Sequence, residues 1–230
     1  PKMRRGRDTR YLLDGRGSRL GTMSDFIQFK PVQLSEATPK NTARMSAACT
    51  ELAERDLLSS YEGTTLIGSN GNISHRHEAG FIITGTQLPS KQNLKPEDFV
   101  YIEKCTNGEA YFHGTKLPSS ECLMHWYLYD NFPETHAIIH VHESNQLLYS
   151  EFGRRRWKEL KIAETANDAG NGTIKVGGAA AEIFNKAALY VILKNHRPEW
   201  DPERTGAVIQ GGSLEEALKN TLNIHQALQP

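Results

Sequence analysis

The stretch "PSSECLMHWYLYDNFPETHAIIHVHESN", residues 118–145, decides the fold and holds the residues with the most evident chemistry. It predicts a helix that begins behind a pair of serines and ends at Pro133, followed by the strand "HAIIHVH". Alternate side chains of a strand point to one face, so His140 and His142 are expected to lie together. Such a pair is typical of zinc sites, but it also fits one buried and one exposed histidine without a metal.

Three polar residues at the start of this helix allow two interpretations. A carboxylate in the first turn, such as Glu121, is stabilised by the helix dipole, whether or not it takes part in chemistry. Ser119 and Ser120 fit helix caps, but hydroxyl and free backbone N–H groups at a helix N-terminus also suit a phosphate. Likewise, "GSNGN" at residues 68–72 is either a turn or a loop that brings Asn72 close to a ligand.

Outward from this stretch, helical and strand patterns alternate. The sequence predicts a helix within residues 39–59, a strand at 79–88, an Asn-Gly hairpin at 94–114, a helix at 179–195, a strand at 207–212 and a last helix capped by Ser213. Because the hairpin requires antiparallel pairing, we expect a three-layer α/β/α domain. Its central sheet would be mainly antiparallel or mixed, with helices on both faces.

Composition narrows the class of protein. The chain has 230 residues and a formal net charge of 0, and this overall charge balance does not call for a nucleic-acid or membrane partner. Its apolar runs are too short to span a bilayer. The three cysteines are odd in number and lack CxxC spacing, which indicates reduced thiols in a cytoplasmic protein.

The first 22 residues differ from the rest, with seven basic and two acidic side chains. They are interpreted as a basic leader that is disordered or left over from cloning, and the domain as residues 23–230. The alternative is a basic arm that touches an acidic partner or nucleic acid.

The order "GSNGNIS", "FIITGT", "LKPEDFVYIE", "KLPSSE" and "HAIIHVH" resembles the class II aldolase/adducin superfamily, over residues 39–226. The resemblance implies that fold and a divalent metal, most often zinc, held by His140 and His142. It implies that Glu121 is the acid–base carboxylate. It further implies a phosphate site made of Asn72, Gly85, Thr86, Ser119 and Ser120, with Gly85 or Gln87 contributing from the turn.

By the same resemblance, the protein is a lyase acting on a small sugar phosphate, and a homotetramer. Aldol cleavage would proceed through a metal-stabilised enediolate of a ketose phosphate or dihydroxyacetone phosphate. An epimerase or dehydratase of the family, or a catalytically silent adducin-like scaffold, remains open.

The pattern departs from the family at the third metal histidine, which is usually followed by glycine on a late strand. In "RTGAVIQGGSLEEAL" the residue before Gly206 is Thr205, a poor zinc ligand. His196 is a candidate, although "HRPEWDPER" looks unlike a strand that would place it in the site. The remaining ligand is therefore Glu121, His196 or water. The stretch "ETANDAGNGT" also lacks the tyrosine that many aldolases carry there.

Overall fold

The computed structural model describes residues 27–62, 67–166, 168, 172–198 and 200–230, and the short strands β1 (Leu12–Leu13) and β2 (Arg19–Leu20), which pair antiparallel. Apart from these two strands, the predicted leader at 1–22 lies outside the described residues. Its dispensability therefore stays a prediction.

Within the described residues, nine strands form one mixed sheet in the order β11-β12-β13-β10-β6-β7-β8-β9-β3. Two pairs, β11 with β12 and β3 with β9, are parallel, and the other neighbours are antiparallel. The strands are β3 (Lys30–Ser35), β4 (Ser60–Glu62), β5 (Ile67–Ser69), β6 (Asn72–His77), β7 (Gly80–Thr84), β8 (Phe99–Thr106), β9 (Glu109–His113), β10 (Ala137–Ser144), β11 (Ile162–Glu164), β12 (Tyr190–Ile192) and β13 (Arg204–Gly211). Strands β4 and β5 pair separately.

Helices cover both faces of this sheet, which confirms the predicted three-layer arrangement. The helices are α1 (Ala43–Glu54), α2 (Cys122–Asn131), α3 (Asn145–Tyr149), α4 (Glu151–Arg156), α5 (Ile174–Phe184) and α6 (Leu214–Leu228). Helices α2 and α5 pack on one face and α1 and α6 on the other, each over its own apolar core. Along β10, Ile138 belongs to the first core and Ile139 to the second, as the two-residue period of a strand requires. No helix in the described part of the chain is long and apolar enough to cross a membrane.

The predicted helix at 179–195 is wrong in its second half. Helix α5 ends at Phe184, Ala187 has a left-handed φ of 64°, and residues 190–192 form the buried strand β12. Tyr, Val and Ile favour a strand, and a short apolar run buried on both sides carries no period that separates helix from strand. By contrast, Ser213 caps α6 as predicted, since its Oγ accepts the N–H of Glu216 at 3.1 Å.

Candidate metal and acid–base centre

Three imidazoles meet on the face of the sheet that α2 and α5 cover. The alternation of β10 places His140 and His142 there, and His196 joins them from the loop after β12. One ring nitrogen from each lies within 4.8 Å of the others, and all three residues are buried. The expectation that the loop "HRPEWDPER" would keep His196 away from the pair is therefore wrong.

Backbone pairing with β13 holds His196 in place. Its C=O accepts the N–H of Gly206 at 2.8 Å, and its N–H donates to Leu193 O at 3.0 Å. A Cβ at Gly206 would lie 2.3 Å from His196 Cδ2 and 2.8 Å from His140 Cε1, so only glycine permits this approach.

Thr205 does not occupy the place of the third imidazole. Its hydroxyl donates to Asn145 Oδ1 at 2.6 Å, and its neighbour Gly206 is the residue that faces the imidazoles. In the sequence, nine residues (197–205) separate His196 from Gly206, so the two do not form the adjacent His-Gly pair of the family pattern. In the structure, hydrogen bonds pair His196 with Gly206.

The three imidazoles fit a divalent metal ion. Burial lowers the pKa of His140 to about 4 and the pKa values of His142 and His196 well below the ordinary value, so their lone pairs are free near pH 7. The Nδ1–H of His140 donates to Ala207 O at 3.0 Å, which leaves its Nε2 as an acceptor.

The spacing of one pair of ring nitrogens agrees with this interpretation. Nε2 of His140 and Nε2 of His142 are 3.2 Å apart. Two nitrogens on one tetrahedral zinc, each at 2.0–2.1 Å, are about 3.3 Å apart. Three imidazoles with a free fourth position are the ligand set of catalytic zinc.

Glu121 is the N-cap residue of α2 and is only 4% exposed. The predicted serine cap of this helix is not formed, since no side chain caps it. Ser119 Oγ instead accepts the N–H of Glu121 at 3.4 Å. Glu121 Oε1 accepts the N–H of Gly172 at 3.1 Å and lies 3.9 Å from His196 Nε2, whereas Oε2 has no partner among the described residues.

Burial raises the pKa of Glu121 to about 7, and the hydrogen bond from Gly172 opposes this only partly. A carboxyl group that titrates near neutral pH can both take and give a proton. Its place beside the imidazoles makes Glu121 a candidate acid–base group.

The predicted phosphate residues lie in two groups. Asn72 pairs with His140 across β6 and β10, and its buried Oδ1 has no partner among the described residues. Gly85 forms an isolated bridge with Pro118, which brings the turn after β7 beside Ser119 and Ser120. The N–H of Gly85 donates to Asp98 O at 2.7 Å, so it is not available to a phosphate. The N–H of Thr86 donates to Leu117 O at 2.9 Å, so Thr86 can offer a phosphate its hydroxyl but not its N–H.

Sequence reasoning did not single out His125, which is also buried on this face. Its Nδ1 is 2.6 Å from Ser74 Oγ, and its Nε2 has no partner among the described residues. Over all the residues that the structure describes, six buried side-chain atoms lack a hydrogen-bond partner, and four of them belong to Asn72, Glu121, His125 and His142. Such atoms are rare in proteins and each calls for an explanation, for example a bound ion or water.

Comparisons with known proteins identify the family of the chain. The family model described as Class II Aldolase and Adducin N-terminal domain matches residues 43–229. An L-fuculose phosphate aldolase from Haemophilus influenzae is 37% identical over 75 residues, which are 33% of this chain and 32% of that protein. A methylthioribulose-1-phosphate dehydratase from Citrobacter koseri is 30% identical over 162 residues, 66% of this chain and 78% of that protein. The chain thus matches about a third of the length of one relative and over three quarters of the other.

Solved structures confirm the fold. An L-fuculose 1-phosphate aldolase superposes with a TM-score of 0.62 at 20% identity, covering 84% of this chain and 85% of the other. The L-fuculose-1-phosphate aldolase from Thermus thermophilus superposes with a TM-score of 0.58 at 19% identity, covering 81% of this chain and 90% of the other. The predicted class II aldolase-like architecture is therefore correct.

Proposed function

Since the chain belongs to the class II aldolase and adducin family, as its motifs predicted, we propose that it is a metal-dependent lyase acting on a small sugar phosphate. The family includes aldolases, dehydratases and decarboxylases. The observation that carries the proposal is Glu121, a buried carboxyl group whose Oε2 has no partner among the described residues and whose Oε1 lies 3.9 Å from an imidazole of the three-histidine cluster.

In this proposal His140, His142 and His196 hold the metal, which we propose to be zinc because three neutral imidazoles suit it. When bound, zinc supplies Lewis acidity that stabilises negative charge on substrate oxygens during C–C cleavage or proton removal. Glu121 moves the proton through Oε2, because Oε1 is fixed by the N–H of Gly172.

The substrate phosphate is assigned to Asn72, Thr86, Ser119 and Ser120. Hydroxyl and amide donors beside the N-terminus of α2 suit an anion, and binding at this point orients the reacting carbon. Gly85 shapes the turn but does not donate its N–H.

Dehydration is the alternative reaction, because a dehydratase matches 162 residues of the chain. An epimerase or a silent adducin-like scaffold would use the same fold. The scaffold explanation leaves the perturbed carboxyl group of Glu121 without a role, and for this reason we favour an enzyme.

The remaining parts of the proposal concern partners and location. A phosphorylated ketose is the partner, with no nucleic acid or membrane, and the net charge of 0 supports this. Cys49, Cys105 and Cys122 are free thiols, which supports a cytoplasmic location. A homotetramer is proposed on the family resemblance.

Elemental analysis of protein purified without added metal, followed by a screen of phosphorylated ketoses, tests the function. We expect about one zinc ion for each three-histidine site, lost in the double variant His140→Ala/His142→Ala. The matched control is His136→Ala, which changes an exposed histidine just before β10 and should keep the metal. Wild-type protein that binds no zinc, manganese or cobalt would contradict the proposal.

A further inference from the structure

Between His196 and Gly206, the described residues 197–198 and 200–205 form an excursion whose two ends meet at one point, and we name this segment the clamp loop. The N–H of Gly206 donates to His196 O, and the N–H of Leu193 donates to Gly206 O, both at 2.8 Å. This pairing would close the connection between β12 and the rest of β13 without the nine residues in between, of which Arg204 and Thr205 already belong to β13. The clamp loop is therefore an addition directly behind the third imidazole.

The clamp loop reaches the "GSNGN" loop and holds Asn70 there. Trp200 Nε1 donates to Asn70 Oδ1 at 3.2 Å. Asp201 Oδ2 accepts from Asn70 Nδ2 and from Ser59 Oγ, both at 3.1 Å. Both ends of the buried amide of Asn70 are thus bound by the clamp loop.

Asn70 is connected to Asn72 through the tightly packed Gly71. Gly71 lies between them with φ at +67°, and a Cβ there would be 2.4 Å from His140 O. The next residue, Asn72, pairs directly with His140. A backbone pressed this closely against β10 has little freedom, so a shift of Asn70 moves the side chain of Asn72 relative to the imidazoles.

The C-terminal end of the clamp loop is bound to β10. Arg204 Nε lies 3.5 Å from Asp201 Oδ2, and its NH1 donates to His142 O at 3.2 Å. Because the donor is a charged guanidinium, the hydrogen bond from Arg204 to His142 O is stronger than one between neutral groups. The clamp loop is therefore bound to β10, which carries His140 and His142, and it follows directly on His196 in the chain.

We infer that the clamp loop couples metal binding at His196 to the position of Asn72, with Trp200 and Asp201 as positioning residues for substrate binding. The inference rests on the proposed function, because the metal and the phosphate are its two ligands. It goes further by assigning roles to two residues that touch neither ligand.

Hydrogen exchange of the peptide that contains residues 69–72, measured with and without zinc, tests the coupling. In wild-type protein we expect zinc to slow this exchange by at least about fivefold, the low end of usual coupling between sites. In two variants we expect zinc to change the exchange rate of this peptide only slightly. Trp200→Phe keeps an aromatic ring but removes the N–H donor, and Asp201→Ala removes the carboxylate acceptor. Glu203→Ala is the matched control, since Glu203 is exposed on the same loop and only its backbone C=O is bound, by the N–H of Asn145, within the described residues.

Equal protection by zinc in wild type and Asp201→Ala, or none in wild type, would overturn the inference. Deuterium exchange into dihydroxyacetone phosphate is measured in parallel. The clamp variants should raise the KM of this exchange about tenfold, which corresponds to about 1.4 kcal/mol, and should change its kcat much less. If zinc protects the loop but no ketose phosphate reacts, the proposed function fails and the coupling stands. If the ketose phosphate reacts but zinc gives no protection, the coupling fails and the function stands.

Discussion

The change Glu121→Gln should alter the pH dependence of stability in zinc-free protein by an amount that follows from burial. The pKa of Glu121 is raised from 4.5 to about 7 because its carboxylate is removed from water. This difference corresponds to about 3 kcal/mol between the protonated and ionised forms. Glutamine has the same shape, keeps an oxygen for the N–H of Gly172 and cannot ionise.

The sign follows from proton linkage. Because the pKa is higher in the folded state, the stability that Glu121 contributes is fully present below pH 4.5. It is lost as the pH rises through 7, since an ionised carboxylate must then be buried. The free energy of unfolding of Glu121→Gln minus that of wild type should therefore rise by about 3 kcal/mol between pH 4.5 and pH 8. His140, His142 and His196 are present in both proteins, so of their effects only the interaction of His196 with the Glu121 carboxylate enters this difference.

Urea unfolding of chelator-treated wild type and variant at several pH values measures this quantity. Glu134→Gln serves as the control, because it removes one exposed carboxylate close to β10 and should give a difference that stays nearly flat. A flat difference for Glu121→Gln as well would show that Glu121 is not buried as described. The argument for its role in proton transfer would then lose its physical basis.

Three further changes test other parts of the account. His196→Ala should lower zinc affinity, measured in equilibrium competition with a chelator. Thr205→His should not raise zinc affinity, because the side chain of Thr205 points toward Asn145. A gain in affinity for Thr205→His would contradict the three-histidine site. Gly71→Ala should lower the free energy of urea unfolding by roughly 2 kcal/mol or more, since its φ is +67° and the new Cβ would meet His140 O; an unchanged midpoint would refute that contact. Deletion of residues 1–22 should leave the melting temperature and zinc content unchanged, and a drop of several degrees would show that this segment packs on the domain.

Features set by short-range rules could be predicted from the sequence. The turn between β8 and β9 is an example, because Asn107 and Gly108 both adopt the positive φ that a two-residue hairpin requires. The common face of His140 and His142 follows from the strand period alone. The order of the motifs then led to the correct family and fold.

Features that depend on distant parts of the chain could not be predicted in this way. His196 reaches the site because β12 and β13 close around it, and residues 197–205 hide that closure in the sequence. Strand β12 looked helical because its apolar run has no visible period. The pKa of Glu121 depends on how completely it is buried, and no local pattern reports that.

Deuterium exchange at the carbon next to the carbonyl of dihydroxyacetone phosphate tests most directly whether Glu121 is the acid–base group. It is measured with zinc-loaded wild type and Glu121→Gln. This assay reports proton transfer and needs no second substrate. We expect exchange by wild type and a rate lower by ~10²–10⁴-fold in the variant, the usual contribution of an acid–base group, with equal zinc content in both. If the folded, zinc-loaded variant exchanges deuterium at the wild-type rate, the acid–base role of Glu121 is contradicted. If zinc-loaded wild type catalyses exchange with no ketose phosphate, the result favours a silent scaffold.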